Sequence, residues 1–150
     1  MKNINGNLFN HIGSADVICI TTNGFIKANG QCVMGRGCAL EAKTRWPQAA
    51  INLADMIKKN GNIPQKIWSV GDEGKETEVW SFPVKHNWWE DADIDLIRAS
   101  CTLISLEADE RGWTNVVIPR PGCGNGRLSY TVVEPALKEL LDDRFSIITY

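Results

Sequence analysis

Three glycines at alternate positions, Gly122, Gly124 and Gly126, separate an apolar run, Asn115 to Pro119, from a helical pattern, Thr131 to Leu141. Glycine there admits positive φ and lets the backbone approach a ligand closely. The helix start beyond it offers unpaired N–H groups that carry a partial positive charge. Strand, glycine turn and helix in that order can hold an anion such as phosphate. The same order also fits plain turn punctuation, so the rest of the chain has to decide between the two.

Apolar runs of strand length, rich in β-branched and aromatic residues, recur at Ala15–Thr22, Lys66–Gly71, Val79–Lys85, Thr114–Pro119 and Phe145–Tyr150, with Met1–Asn5 as a further edge strand. Helical patterns fall between them. Cys38–Trp46 reads as a helix that stops before Pro47, and Gln48–Asn60 as one that ends at Gly61. Ile94, Ile97, Cys101, Ile104 and Ala108 recur at steps of three and four, with Asp91 or Asp93 as the cap. In the last helix Val132 or Val133, Leu137, and Leu140 or Leu141 face inward. Strands alternating with helices predict an α/β fold, a three-layer α/β/α sandwich with a central mixed sheet, whose ligands sit at the carboxyl ends of the strands.

A second glycine-rich junction, Thr21 to Ala42, follows the first long strand. Asn23 leaves the strand, Asn29 and Gly30 make a turn, and Gly35 and Gly37 open the helix. If both junctions lie on one edge of the sheet, their amides can clamp two linked phosphates. The late loop runs GxGxG rather than the GxGxxG of dinucleotide-binding folds. Lys85 and His86 close another strand. A lysine there is either a solvated charge or, desolvated by Trp80, Trp88 and Trp89, an amine of lowered pKa. The two adjacent tryptophans equally suit a staple that pins the following helix to the core. Cys123, without a histidine partner, reads as a packing residue. His11, His86 and the scattered cysteines lack metal-ligand spacing.

The 150 residues suit one domain, 1–150. A composition 43% hydrophobic and 23% charged, with no span-length apolar run, predicts a soluble protein without a membrane segment. Five cysteines without a framework and an N-terminus without a signal-like apolar core predict the reduced cytoplasm. The net charge of −2 speaks against broad electrostatic attachment to nucleic acid and leaves only local patches such as Lys27, Arg36, Lys85 and Arg127. A small anion held by amides is compatible with it. A monomer is expected.

These residues together resemble the macrodomains, ADP-ribose-binding α/β/α modules, over nearly the whole chain. Ile4–Phe9 resembles the family's Gly-Asp-Ile/Leu opening, whose acid contacts the adenine amine; Asn7 stands at the acid and Leu8 follows it. An asparagine there accepts a hydrogen bond without a charge. Ala15–Gly24 with Val33–Lys43 is similar to the strand and first loop that wrap the distal ribose and α-phosphate, which implies ligand roles for Asn23, Asn29, Gly35, Arg36 and Gly37. Ile118–Tyr130 is similar to the diphosphate loop, which implies such roles for Pro121, Gly122, Cys123, Gly124, Asn125 and Gly126.

Within the family, Pro119–Leu128 and Lys85 resemble the branch of terminal ADP-ribose glycohydrolases and of bacterial antitoxins that strip ADP-ribose from DNA. The resemblance implies that Lys85 either attacks the anomeric carbon of the distal ribose, as in the glycohydrolases, or only orients the substrate as a cation, while Asn23 fixes the ribose hydroxyls. In the glycohydrolases an aspartate two residues after Gly-Cys-Gly completes the reaction; Gly126 occupies that place, as in the antitoxin group. The resemblance therefore implies hydrolysis of an ADP-ribosyl group that departs readily, from a nucleic-acid base or a protein carboxylate, with no cofactor and no metal. A reader of ADP-ribose without turnover and a phosphatase acting on ADP-ribose 1″-phosphate are the alternatives.

Overall fold

The computed structural model of the chain describes residues 1–71 and 74–150. Six strands form one mixed sheet: β1 (Lys2–Asn5), β2 (Val17–Asn23), β3 (Lys66–Val70), β4 (Thr77–Lys85), β5 (Val116–Pro119) and β6 (Phe145–Thr149). Their order across the sheet is β1-β6-β5-β2-β4-β3. Every neighbouring pair is parallel except β3 with β4. Four helices cover it: α1 (Gly37–Arg45), α2 (Gln48–Asn60), α3 (Ile94–Arg111) and α4 (Tyr130–Leu140).

The three layers follow from the period-2 alternation of the central strands. Along β2, Val17 and Cys19 enter one core with Ile97, Cys101 and Ile104 of α3 and Val133 and Leu137 of α4. Ile18 and Ile20 enter the other with Ala39 and Ala42 of α1 and Ala49, Ala50 and Leu53 of α2. All four β2 residues are fully buried, as a strand covered on both faces requires. The expected α/β/α sandwich with a mixed sheet is therefore the fold observed.

Several local details resolve differently from, or more finely than, the sequence pattern. Asp93, rather than Asp91, caps α3 by accepting from Asp95 N–H at 2.9 Å. Val133 and Leu141 are buried, whereas Val132 is exposed. A short 3-10 helix, Leu8–His11, carried no periodic signal; Asn7 caps it by accepting from Phe9 N–H at 2.9 Å. No helix among the described residues is long and apolar enough to cross a membrane.

The amino ends of the central strands are pinned by Asp16. Its carboxylate accepts from the amides of Thr114 (2.8 Å) and Asn115 (3.0 Å), just before β5, and pairs with Lys75, just before β4. Its own carbonyl accepts from Glu78 N–H in β4 at 2.9 Å. Burial pushes this carboxyl up, but the Lys75 ammonium and the two amides outweigh burial and hold it below its ordinary value of 3.8. An acid with a depressed native pKa stabilises the fold above its unfolded pKa, and that contribution fades as pH falls through the native value. Asp16→Ala should therefore lose about 1–3 kcal/mol in urea unfolding at neutral pH, because two amides are left unpaired. The gap to the wild type should narrow as pH falls below 3.8.

Candidate functional site

Because β2, β4 and β5 run parallel side by side, Asn23, Lys85 and Pro119 leave the sheet at one rim. Asn23 and Lys85 are directly paired, after a register shift between Thr22 and Asn23. Two glycine loops rise from this rim. The first spans residues 24–36 between β2 and α1, the second 120–129 between β5 and α4.

The first loop is folded on itself before it reaches α1. Asn23 Oδ1 accepts from Phe25 N–H at 3.0 Å, and Asn23 Nδ2 donates to the Val33 carbonyl at 3.1 Å. Ile26 and Cys32 form an antiparallel bridge, and Asn29 Oδ1 accepts from Gln31 N–H at the tip of this small hairpin. Asn23 thus ties the two ends of the hairpin at the rim, while Asn29 lies out at its exposed tip. Gly35, Arg36 and Gly37 are exposed where the loop enters α1. Arg36 provides no side-chain cap there, and the first turn contains no acid, so the amides opening α1 have no acceptor from the cap residue.

The second loop divides into a packed base and an open tip. Pro121, Gly122 and Gly126 are buried; Gly124 and Asn125 are exposed. Leu128 N–H donates to the Gly122 carbonyl, Arg127 N–H to that of Gly124, and Ala92 N–H to that of Gly126. Gly122 has φ +75°, and Arg127 lies in the same left-handed region at φ +65°. A Cβ on Gly126 would stand 2.5 Å from the Gly122 carbonyl oxygen and 2.7 Å from Ala92 Cβ, whereas a Cβ on Gly124 would meet nothing within 4 Å. The glycine at 126 is thus dictated by backbone packing. The amides of Gly124, Asn125 and Gly126 have no acceptor among the described residues. Cys123 packs against the α3/α4 core, and burial pushes its thiol up, consistent with a packing role.

The two loops approach each other and the lysine. A Cβ on Gly37 would lie 4.0 Å from Asn125 Nδ2. Lys85 Nζ donates to the carbonyls of Asn125 (3.0 Å) and Trp88 (3.3 Å). Burial lowers the pKa of this half-buried amine below its ordinary 10.5; the guanidinium groups of Arg127 and Arg36 add to the effect and Asp91 opposes it. Farther along the rim, a cavity of about 280 Å³ opens between the start of α1 and the ends of β5 and β6. Leu8, Gly37, Cys38, Glu41, Pro119 and Tyr150 contribute to its walls. Asn7 lies beside it, its side-chain oxygen engaged in capping.

Other features of the site carried no signal in the sequence. The role of Asn125 is that of a backbone carbonyl, which no residue type announces. Trp88 and Trp89 were open to a stapling role, but they are 52% and 56% exposed and belong to neither core. Ala92, the residue before the cap of α3, is the buried one. Among the described residues no group of three or more His, Cys, Asp and Glu is placed to hold a metal ion.

No family model matches the chain. It is 28% identical over 129 residues to the DNA ADP-ribosyl glycohydrolase of Mycobacterium tuberculosis, a match that takes in 83% of this chain; the chain spans 36% of the length of that relative. Among solved structures it is similar to the macrodomain of Mycobacterium tuberculosis DarG, with TM-score 0.78 and 23% identity over 99% of this chain and 97% of that one. It is also similar to Thermosipho africanus DarTG in complex with ADP-ribose, with TM-score 0.79 and 22% identity over 95% of this chain and 39% of that one. The chain has the macrodomain fold.

The packing around Gly126 makes a direct test possible. Gly126→Ala should cost roughly 1–3 kcal/mol by overpacking against backbone, read as a lowered urea midpoint. Gly124→Ala, facing open space, should cost less than Gly126→Ala in the same assay.

Proposed function

We propose that this chain binds ADP-ribose along the rim and hydrolyses an ADP-ribosyl group from a macromolecule, with Lys85 as the reacting amine. The observation that carries this reading is the 3.0 Å hydrogen bond from Lys85 Nζ to the Asn125 carbonyl, which joins the amine to the tip of the second glycine loop. The diphosphate would lie against the free amides of Gly124, Asn125 and Gly126 and the amides opening α1 at Gly35–Gly37. The adenosine end would enter the cavity beside Leu8, Cys38 and Tyr150, and the distal ribose would lie toward Asn23 and Lys85. The macrodomain fold and the similarity to the DNA ADP-ribosyl glycohydrolase support the choice of ligand.

In the proposed reaction the neutral amine of Lys85 attacks the anomeric carbon of the distal ribose. The leaving group takes the bonding pair and a proton, the sugar opens to an imine on Lys85, and water hydrolyses that imine to release ADP-ribose and restore the amine. Gly126 brings no acid and its packing admits none, so protonation of the leaving group receives no carboxyl from that position. A substrate that departs without strong acid assistance fits this site: a nucleobase or a carboxylate. The similarity to the DNA ADP-ribosyl glycohydrolase favours the nucleobase.

The test is release of free ADP-ribose from an ADP-ribosylated single-stranded oligonucleotide. Lys85→Ala should lose release on the order of 10²-fold or more, while calorimetry shows the affinity for ADP-ribose retained. Binding of ADP-ribose by the wild type without any release would instead favour a reader. The depressed pKa adds a pH signature: only the neutral amine attacks, so the rate should rise with pH and level off below 10.5.

A further inference from the structure

Resting on the reading of the rim as an ADP-ribose site, we infer that Glu41 of α1 recognises the adenine base, its free carboxylate oxygen accepting a hydrogen bond from the exocyclic amine, so that the site selects adenine over other purines. The cavity beside the start of α1, about 280 Å³, lies close to the ~300 Å³ lower end of small-molecule pockets. That space suits a base rather than a whole nucleotide. Leu8, Phe9, Pro119 and Ile148 make its walls largely apolar, and among the described residues Glu41 is the one charged side chain that lines it.

The helix aims the carboxylate. Gly37, Glu41 and Arg45 follow one another at steps of four along α1, so they share one stripe of it, and Gly37 and Glu41 both line the cavity. Arg45 Nε donates to Glu41 Oε2 at 3.0 Å, and Arg45 Nη2 lies 2.9 Å from the same oxygen. The guanidinium is itself steadied over the Phe9 ring, 4.6 Å from its centroid. Oε2 is thereby occupied, while Oε1 has no partner among the described residues. An ion pair one turn apart on a helix is ordinary. One whose carboxylate also lines an apolar cavity is placed to serve a donor that enters there.

A single accepting oxygen decides which base fits. Adenine offers one amine and takes one charge-assisted hydrogen bond. Guanine in the same pose puts a carbonyl oxygen where adenine has its amine, and two acceptors repel. Turned to present its two N–H donors, guanine needs both carboxylate oxygens, and Arg45 holds one of them. Asn7 does not compete for this role, because its side-chain oxygen accepts from Phe9 N–H at 2.9 Å and carries no charge.

Calorimetry tests this on the wild type, Glu41→Ala and Glu41→Gln with three ligands: ADP-ribose, its analogue with hydrogen in place of the adenine amine, and its guanine counterpart. The wild type should prefer ADP-ribose to the other two by roughly 10- to 100-fold, the range for a hydrogen bond to a charged group. Glu41→Ala should bind ADP-ribose and the amine-free analogue equally, and the analogue as well as the wild type does. Glu41→Gln, whose amide oxygen still accepts but without a charge, should fall between. A loss on both ligands alike in Glu41→Ala would mark the ion pair with Arg45 as merely structural and overturn the inference. Equal binding of the two by the wild type, or tighter binding of the guanine counterpart, would overturn it as well, with ADP-ribose binding left standing. If the wild type binds no ADP-ribose at all, the reading of the rim fails and the inference fails with it.

Discussion

Parallel pairing of β2 with β4 on one side and β5 on the other is the constraint from which the rest of the rim follows. Parallel neighbours end at the same edge, so the first loop, Lys85 and the second loop have to emerge together. Were β4 antiparallel to β2, its amine would leave at the opposite edge. The one antiparallel strand, β3, lies outside at the sheet margin and contributes no residue to the rim. Parallel strands need long crossovers, and those crossovers are the helices that bury both faces of the sheet. Burial and site geometry therefore have a common origin in topology.

Within that frame, the second loop shows how a backbone site is made rigid. Its base is compressed until no side chain fits at Gly126, and Ala92, Ile97 and Leu128 surround Gly122 at short range. The hydrogen bond from Ala92 N–H to the Gly126 carbonyl fastens the loop to the start of α3. The tip, Gly124 and Asn125, faces outward. Amides held this way are preorganised for an anion, and they carry no formal charge. Under the proposed function, that is how a chain with a net charge of −2 holds a diphosphate without a basic face.

The parts of this arrangement visible in the sequence were those encoded by residue type and period. The buried strands Val17–Asn23 and Val116–Pro119 are β-branched runs, α3 repeats at three and four, and the glycines mark both loops. Lys85 was legible because a polar residue ends an apolar strand. The small hairpin around Asn29 was not, since a single bridge between Ile26 and Cys32 leaves no period to read. Nor was the choice between Val132 and Val133, which depends on the rotation of α4 against α3 rather than on hydrophobicity. The carbonyls of Asn125 and Trp88 that hold the amine are invisible in principle, because every residue has a carbonyl. Trp88 and Trp89 misled for a different reason: large apolar residues are expected inside, and exposure is decided by the turn that carries them.

The amine at the centre of the rim is held between opposing influences. Burial and the guanidinium groups of Arg127 and Arg36 disfavour its charged form; Asp91 and the two carbonyls favour it. A diphosphate arriving beside it brings negative charge, which by itself would raise the amine's pKa and suppress the neutral form that attacks. Arg36 and Arg127 act against that rise, since they lower the pKa before the ligand comes and offset part of its field afterwards. Their value in the proposed reaction then lies as much in keeping Lys85 partly neutral as in attracting the ligand. The same logic disfavours placing an additional carboxylate in the second loop. An acid close to Lys85 would favour the ammonium form, and the packing at Gly126 withholds one from the loop base. Loop packing and amine chemistry thus favour the same outcome, a site that relies on the leaving group's own readiness to depart.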